Sequence, residues 1–377
     1  MVQLCDIVSQ GYPDIIRVAA FVAIISGIVT LVTIGAIFFN RILKSKEQKV
    51  KKEADEAILE ALGERIFIYD SVNDISEKEL SKTLKILDVL KNKNKIFRKS
   101  MVRLLVYFQT NLTGSVGRIM NATYSRLKLR EFSLRKLKSP FWFLKTQRLT
   151  EVQRMKDVLS LLEVYKLISD KNQDVRVAAY IALFRLRARD CFDVMLKEPE
   201  ELSEWQQIML EEGILKTLDL NIPNFNVYLT SQNRSIRLLC IKLIVDFNQV
   251  NAILALLSNL DKEDDHVRLQ IIQALGILNA EVAEPILKKR YDLEPVKNKA
   301  AILITLGLIA SGNSVRFIKE KFLKADQFLI LKSAAEAIFS HHQSVKDEII
   351  ESLAEITTMQ KGVLNHFAES PNQYGVV

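Results

Sequence analysis

The chain has 377 residues, of which 49% are hydrophobic and 26% are charged, and its formal net charge is +8. It contains only 12 glycines and 7 prolines, which leaves few of the turns that an all-β or α/β fold needs. The composition therefore favours long helices joined by short connections. The three cysteines, Cys5, Cys191 and Cys240, are far apart, so the sequence predicts neither a disulfide framework nor a zinc site.

An uncharged apolar run at residues 18–39 follows a short N-terminal segment, residues 1–17. As a helix, this run would be about 33 Å long, which matches a bilayer hydrocarbon core of about 30 Å. The segment before it carries Asp6 and Asp14 against Arg17, whereas a cleavable signal peptide has a basic leader. We therefore interpret residues 18–39 as a permanent transmembrane helix.

Cationic residues come directly after this run. They are Arg41, Lys44, Lys46, Lys49, Lys51 and Lys52. An excess of lysine and arginine marks the cytoplasmic flank of a span, so we expect a single-pass protein of the cell inner membrane, with its N-terminus outside and the bulk of the chain in the cytoplasm. Residues 40–69 are predicted to form a helical stalk, because up to Leu62 the segment has no proline or glycine and keeps apolar residues at helical spacing.

Small residues recur at intervals of four within the apolar run. Ala19, Ala23 and Gly27 form a small-xxx-small pattern, which lets two transmembrane helices approach closely. Two interpretations stay open at this stage. The pattern is either a packing site for a partner helix or a set of small residues scattered along a plain anchor.

From about residue 140 the sequence repeats itself at a nearly constant interval, which is the signature of a repeat architecture. The clearest copies open on Val175-Arg176, Ile236-Arg237 and Val267-Arg268, and weaker ones open on Val296-Lys297 and Leu331-Lys332. The first two copies are two periods apart, so a degenerate copy is predicted near Trp205. A second amphipathic run follows each opening helix, so each unit should be a helical hairpin that buries its apolar stripe against its neighbours.

These copies resemble the HEAT-repeat family over residues 140–365. The resemblance implies an all-α fold in which the transmembrane helix and stalk lead into a HEAT-type α-solenoid, with residues 366–377 as a flexible tail. It also implies that Arg176, Arg237 and Arg268 are structural and bond polar groups of neighbouring repeats. The stretch Lys138–Val152 resembles the leading repeat of bacterial single-span membrane HEAT-repeat adaptor proteins. That likeness implies a scaffold whose protein partner is an inner-membrane protein, such as a glycosyltransferase or a complex that exports exopolysaccharide.

Residues 70–139 are predicted to be a basic, membrane-proximal layer of three helices, the third of which spans about residues 116–134. Between Lys95 and Arg148 there are thirteen lysines or arginines and one acid, Glu131. We predict contacts with anionic lipid headgroups or another anionic partner through a set of nine cations. They are Arg98, Lys99, Arg118, Arg126, Lys128, Arg130, Arg135, Lys136 and Lys138. Lipid is the first candidate because the layer is tethered near the bilayer. An acidic protein, an anionic nucleotide or nucleic acid could meet the same side chains, and a plain solvated basic face is also open.

No catalytic motif occurs in the sequence. The four histidines form no HExxH or other ligand spacing, and there is no GxxxxGK[ST], GxGxxG or GxSxG. We therefore predict a non-enzymatic protein with no metal site and no cofactor. The first hypothesis is a membrane-anchored adaptor that binds a protein through its repeats. The second is binding of nucleic acid or an anionic nucleotide by the basic layer, with nucleic acid the less favoured partner.

Overall fold

A computed structural model of the chain describes residues 14–63, 77–112, 115–217, 222–341, 347–348, 350–351 and 356–369. All regular structure in these residues is helical, with no strand, which confirms the all-α fold class. The chain forms two compact units, Met1–Ser160 and Leu161–Val377. Residues 1–13 of the predicted N-terminal segment, residues 64–69 of the predicted stalk and residues 370–377 of the predicted tail lie outside the described residues.

The described part of the first unit contains six α-helices and one 3-10 turn. They are α1 (Asp14–Gly63), α2 (Glu77–Lys93), α3 (Lys95–Asn111), α4 (Ser115–Arg126), α5 (Leu129–Leu137), α6 (Trp142–Arg154) and the turn Val158–Ser160. The helix α1 continues without a break from the apolar run through the described part of the predicted stalk. It is the one described helix that is long and apolar enough to cross a membrane.

The two ends of α1 differ in burial. Large apolar side chains from Val18 to Leu43 are exposed, whereas Ala54, Ile58 and Leu62 near the C-terminal end are buried. That end packs against α2 and α3. Most of the described stalk is exposed, but its last turns belong to the core of the first unit.

The predicted third helix of the basic layer, residues 116–134, is in fact two helices. Lys128 adopts a left-handed backbone conformation with φ 53°, which ends α4 and starts α5. Leu127 and Leu129 on either side of it are both buried. A continuous helix would point these neighbours about 200° apart, so the break lets both enter the core.

The helix α6 belongs to the first unit, although the sequence pattern assigned residues from 140 onward to the repeats. It packs against α5 and α3, and Leu149 and Val152 on its inner face are fully buried. The amphipathic pattern of α6 is therefore satisfied by the basic layer.

The described part of the second unit contains twelve α-helices, α7 to α18, and four 3-10 turns. The helices are α7 (Leu161–Tyr165), α8 (Gln173–Arg185), α9 (Cys191–Met195), α10 (Glu204–Leu215), α11 (Arg234–Asp246), α12 (Ile253–Asn259), α13 (Asp265–Ile277), α14 (Glu284–Arg290), α15 (Val296–Ile309), α16 (Val315–Leu323), α17 (Phe328–Phe339) and α18 (Thr358–Glu369). The 3-10 turns are Phe225–Thr230, Val250–Ala252, Glu281–Ala283 and Tyr291–Leu293. The predicted tail begins inside α18.

Six of these helices begin at nearly equal intervals along the chain. They are α8, α10, α11, α13, α15 and α17. Each packs against the next one in chain order, and α17 packs against α18. The degenerate copy predicted near Trp205 corresponds to α10. The sequence pattern placed the two weak copies in the wrong register. Arg268 is the fourth residue after the N-cap of α13, and the equivalent residues of α15 and α17 are Lys299 and Leu331. The predicted equivalents, Lys297 and Lys332, are therefore wrong.

Local sequence fixes where four of the six repeating helices begin. Asn172, Asn233 and Asp264 accept hydrogen bonds from the first free backbone amides of α8, α11 and α13, and Ser203 forms a capping box with Gln206 at α10. One glycine sets the spacing of two of these helices. A Cβ at Gly307 would lie 2.5 Å from Cα of Ala337, so α15 and α17 approach closely because Gly307 has no side chain.

Candidate functional site

The arginines that open the clearest repeats are engaged in the fold. Nη2 of Arg176 lies 2.6 Å from Oε1 of Glu198, and both side chains are buried. Arg237 and Arg268 make equivalent ion pairs through Nε, with Glu263 at 2.8 Å and Glu294 at 3.1 Å, and these glutamates lie just before the next repeating helix. Each arginine also donates to a backbone carbonyl just before its own helix. These contacts fix the turn between consecutive repeats.

Ionisation of the buried glutamates depends on these contacts. Burial works against the charged form of Glu198, but hydrogen bonds from Arg176 and Tyr180 outweigh it and lower the pKa of the carboxyl group. The same balance, with Arg290, Asn298 and Arg268 as donors, lowers the pKa of Glu294. In this part of the chain, positive charge is neutralised by carboxylates.

The first unit contains a cleft of about 670 Å³ that is lined by residues of α1, α3, α5 and α6. We call it the basic cleft, because its lining includes six cations and two glutamates, a surplus of four positive charges. The cations are Lys51, Lys99, Arg103, Lys136, Arg148 and Arg154, and the acids are Glu47 and Glu151. One of the cations is partly neutralised, since Nη2 of Arg103 lies 2.5 Å from Oδ2 of Asp55.

Helical spacing brings these side chains together. Glu47 and Lys51 are four residues apart on α1, and Lys99 and Arg103 are four apart on α3. On α6, Glu151 lies midway between Arg148 and Arg154, three residues from each. Residues at these intervals share one face of a helix, so each helix turns a charged face towards the cleft.

Three cations surround the ring of Phe132 beside the cleft. The Lys136 ammonium is 4.6 Å from the ring centroid, and the guanidinium groups of Arg148 and Arg98 are 5.4 Å and 5.5 Å from it. Cation–π attraction offsets part of the repulsion between these groups. The ring thus holds three like charges close together.

Arg148 is the most buried cation of the cleft, with 3% of its side chain exposed. Its Nη1 pairs with Glu151 and approaches Oγ of Ser133. Its Nε is buried and finds no acceptor among the described residues, and the same holds for Nε of Arg98. A buried donor without an acceptor is costly, so these two guanidinium groups add to the unfavourable electrostatics beside the cleft.

The electrostatics of Lys136 reflect the crowding. Burial, together with repulsion from Arg148, Lys99 and Lys95, lowers the pKa of Lys136 to about 8, although Glu151 acts in the opposite direction. Burial also raises the pKa of Glu151, despite the opposing attraction of Arg148 and Lys136. An anion bound in the cleft would favour the protonated form of Lys136.

The structure brings together part of the predicted cation set. Lys99 and Lys136 line the cleft, and Arg98 reaches Phe132 beside it. Nε of Arg130 lies 3.0 Å from Oδ2 of Asp157 and is used in the fold. Arg126, Lys128, Arg135 and Lys138 are exposed and lie outside the cleft. The side chain of Arg118 lies outside the described part of the structure.

Four cleft cations were missing from the predicted set: Lys51, Arg103, Arg148 and Arg154. Their spacing along α1, α3 and α6 was the available signal. A count of positive charges along the segment does not show which face of each helix packs against its neighbours, and so does not show which cations line the cleft.

The aromatic residues of the first unit differ in exposure. Tyr124 is buried in the core, as expected for aromatics at helical spacing. Phe141, Trp142 and Phe143 are about half exposed, and their rings contact one another, with centroids 5.8 Å and 6.3 Å apart. We call these three residues the aromatic cluster. It lies at the start of α6, which presents Arg148 to the basic cleft.

The small residues of the apolar run lie on exposed helix surface. Ala19 and Ala23 are exposed, and a Cβ at Gly27 would meet no atom within 4 Å. A partner helix packed on this stripe stays a prediction.

Comparisons with known proteins add little to this description. No protein-family model matches the sequence, and the comparison with curated proteins finds no match. Among solved structures, the chain is similar to the crystal structure of an engineered protein from a structural genomics consortium. The two share 12% identity at a TM-score of 0.32, over 86% of this chain and 95% of that one.

Proposed function

We propose that this chain is a single-pass, membrane-anchored adaptor of the inner membrane. In this proposal α1 crosses the bilayer, the basic cleft binds an anionic group at the cytoplasmic surface, and the repeats bind a protein. The observation that carries it is the continuity of α1. The helix with the exposed apolar run also supplies Glu47 and Lys51 to the cleft.

The packing of the second unit supports a scaffold role. Helices that begin at a regular interval and pack in chain order are typical of α-solenoids such as HEAT repeats, which use their extended surfaces for binding. The second elements of successive hairpins carry exposed aliphatic residues. Leu254 and Ile286, which lie one repeat apart, are 73% and 43% exposed. A row of this kind suits a protein partner, and the family resemblance favours a membrane glycosyltransferase or a glycan-export complex.

The test is crosslinking of the full-length chain in membranes, followed by purification in mild detergent. We expect a stoichiometric membrane protein that is retained by the unmodified chain and lost from a Leu254→Asp/Ile286→Asp variant. The matched control is Ile86→Asp/Val89→Asp, which adds the same charges at exposed positions of α2. If no stoichiometric partner is found, or if both variants retain it equally, the adaptor proposal fails. Release of the chain from membranes by alkaline carbonate would overturn the anchor.

The positive surplus of the basic cleft also favours a second candidate function, binding of an anionic nucleotide or nucleic acid. Lysine and arginine side chains meet phosphates, and the exposed rings of Tyr107 and Trp142 offer stacking surfaces. The test is binding of labelled oligonucleotide or nucleotide to the detergent-solubilised chain over a range of salt concentrations. Absence of binding at low salt would exclude this candidate.

A further inference from the structure

We propose that the basic cleft holds the phosphate of an anionic membrane lipid, while the aromatic cluster inserts into the bilayer interface beside it. This inference rests on the proposed role of α1 as the membrane anchor. It names the ligand class of the cleft and adds a second point of membrane contact.

The position of the cleft along α1 favours a lipid. Exposed apolar side chains on this helix continue to Leu43, and Glu47 and Lys51 follow four and eight residues later. At 1.5 Å per residue these residues lie about 6 Å and about 12 Å beyond the apolar surface. A headgroup layer is about 5 to 8 Å thick on each side of the hydrocarbon core. Counted from Leu43, the cleft thus begins within the headgroup layer. Counted from residue 39, the end of the predicted span, it begins about 12 Å beyond the hydrocarbon core, a distance that long lysine and arginine side chains bridge towards a lipid phosphate.

The chemistry of the cleft suits a phosphate. Arginine and lysine donors converge on it, and arginine presents a planar set of donors that matches phosphate oxygens. Nε of Arg148, on a side chain that is 97% buried, supplies a donor with no acceptor among the described residues. Lys99 and Lys136 add charge on the opposite helices, α3 and α5.

The aromatic cluster favours a membrane lipid over a soluble phosphate compound. Tryptophan and phenylalanine are favoured at the boundary between headgroups and acyl chains. Three consecutive exposed aromatic residues, with Lys138 before them and Lys145 after them, have this interfacial composition. Trp142 and Arg148 are six residues apart on α6, about 9 Å along a helix. The cluster and the cleft are therefore about 9 Å apart along α6, close enough to meet the same membrane surface.

The test uses the full-length chain in lipid nanodiscs, with Trp142 as the reporter. The chain has two tryptophans, Trp142 and Trp205, so Trp205→Phe leaves a single tryptophan, which lies in the aromatic cluster and can be excited selectively at about 295 nm or above. The discs contain phosphatidylcholine brominated near the headgroup, with increasing fractions of phosphatidic acid. We expect bromine to quench Trp142 and phosphatidic acid to increase that quenching. Soluble glycerol phosphate should not replace the lipid.

A pair of charge reversals tests the cleft. Lys99→Glu lies in the cleft, whereas Arg135→Glu makes the same change at an exposed position outside it. Each unit of charge near a lipid surface changes binding about fivefold, and Lys99→Glu changes the charge by two units. We therefore expect this variant to raise the fraction of phosphatidic acid needed for half-maximal quenching by roughly 25-fold. Arg135→Glu should leave this fraction close to that of the parent chain. Circular dichroism checks that both variants fold.

Three outcomes would overturn the inference. In the first, Trp142 is quenched by iodide but not by bromine in every disc. In the second, glycerol phosphate binds as well as the lipid. In the third, Lys99→Glu and Arg135→Glu change the required fraction of phosphatidic acid equally. In each of these cases the chain still enters the discs, so the anchor stands. Failure of the chain to enter the discs would instead overturn the proposed function and this inference together.

Discussion

The two units of this chain use their positive charges differently. In the second unit, arginines pair with carboxylates in a repeating pattern, as in Arg176 with Glu198 and Arg268 with Glu294. In the first unit, cations gather around Phe132 and the basic cleft, where acids are few. A paired cation stabilises the fold at its own position, whereas crowded cations raise the energy of the folded state until an anion arrives. Basic residues of similar appearance in the sequence thus serve the fold in one unit and, we propose, a ligand in the other.

The largest loss of stability is expected from Glu198→Ala, which tests the paired charges of the second unit. The change leaves the guanidinium of Arg176 buried without the carboxylate of Glu198, and removes the acceptor of the Tyr180 hydroxyl. Breaking one side of a buried ion pair costs about 3–5 kcal/mol. Nη2 of Arg176 keeps a contact of 2.9 Å with Oε2 of the exposed Glu200, so we expect the free energy of unfolding to fall by about 3 kcal/mol, the lower end of that range. Urea denaturation of the detergent-solubilised chain, followed by circular dichroism, measures it.

The control for this change is Glu204→Ala, which removes an exposed carboxylate at the start of α10. An exposed change of this kind should alter stability by no more than about 0.5 kcal/mol. Equal effects of the two substitutions would contradict the assignment of Arg176 to the fold.

A smaller loss is expected from Gly307→Ala, which tests the close packing of α15 on α17. The new Cβ would lie 2.5 Å from Cα of Ala337, so the helices must move apart. Overpacking of this kind costs about 1–3 kcal/mol, measured by the same denaturation. Gly362→Ala in α18 is the control, because its Cβ would meet no atom within 4 Å. We expect that substitution to be neutral or stabilising by up to about 1 kcal/mol.

The smallest effect is a pH dependence that distinguishes the crowded cations of the first unit. The pKa of Lys136 is lowered from 10.5 to about 8 in the folded chain, so between these values the unfolded chain binds more protons at this residue. The unfavourable contribution of Lys136 is therefore complete below pH 8 and is relieved as the pH rises towards 10.5. Relative to Lys136→Met, the parent chain should gain stability over this range, measured by denaturation at a series of pH values.

The control for the pH series is Lys138→Met, which removes a charge from an exposed position two residues away. If Lys138→Met changed the pH dependence of stability as much as Lys136→Met does, the proposed effect of crowded cations on Lys136 would be contradicted. Added phosphate should reduce the dependence at Lys136, because a bound anion favours its protonated form.

Local patterns predicted much of the fold. The absence of proline and glycine after the apolar run predicted the continuous helix α1, and the regular interval between the repeat copies predicted the helix at Trp205. These features depend on neighbours in the sequence, where helical periodicity and capping residues act directly. The same approach placed Lys297 and Lys332 in the wrong register, because the last two repeats lack the arginine that marks the three clearest copies.

The sequence by itself determined an all-helical chain, its one long apolar helix, the starts of the repeating helices that carry a capping residue and the excess of cations before residue 150. Only the tertiary structure decided which cations are paired and which are crowded. Arg130 lies among the predicted site residues but pairs with Asp157, whereas Lys51, outside the basic layer, lines the cleft. The reason is physical: a charge density is a property of a segment, but the fate of each charge depends on which helix faces meet, and those faces come from distant parts of the chain.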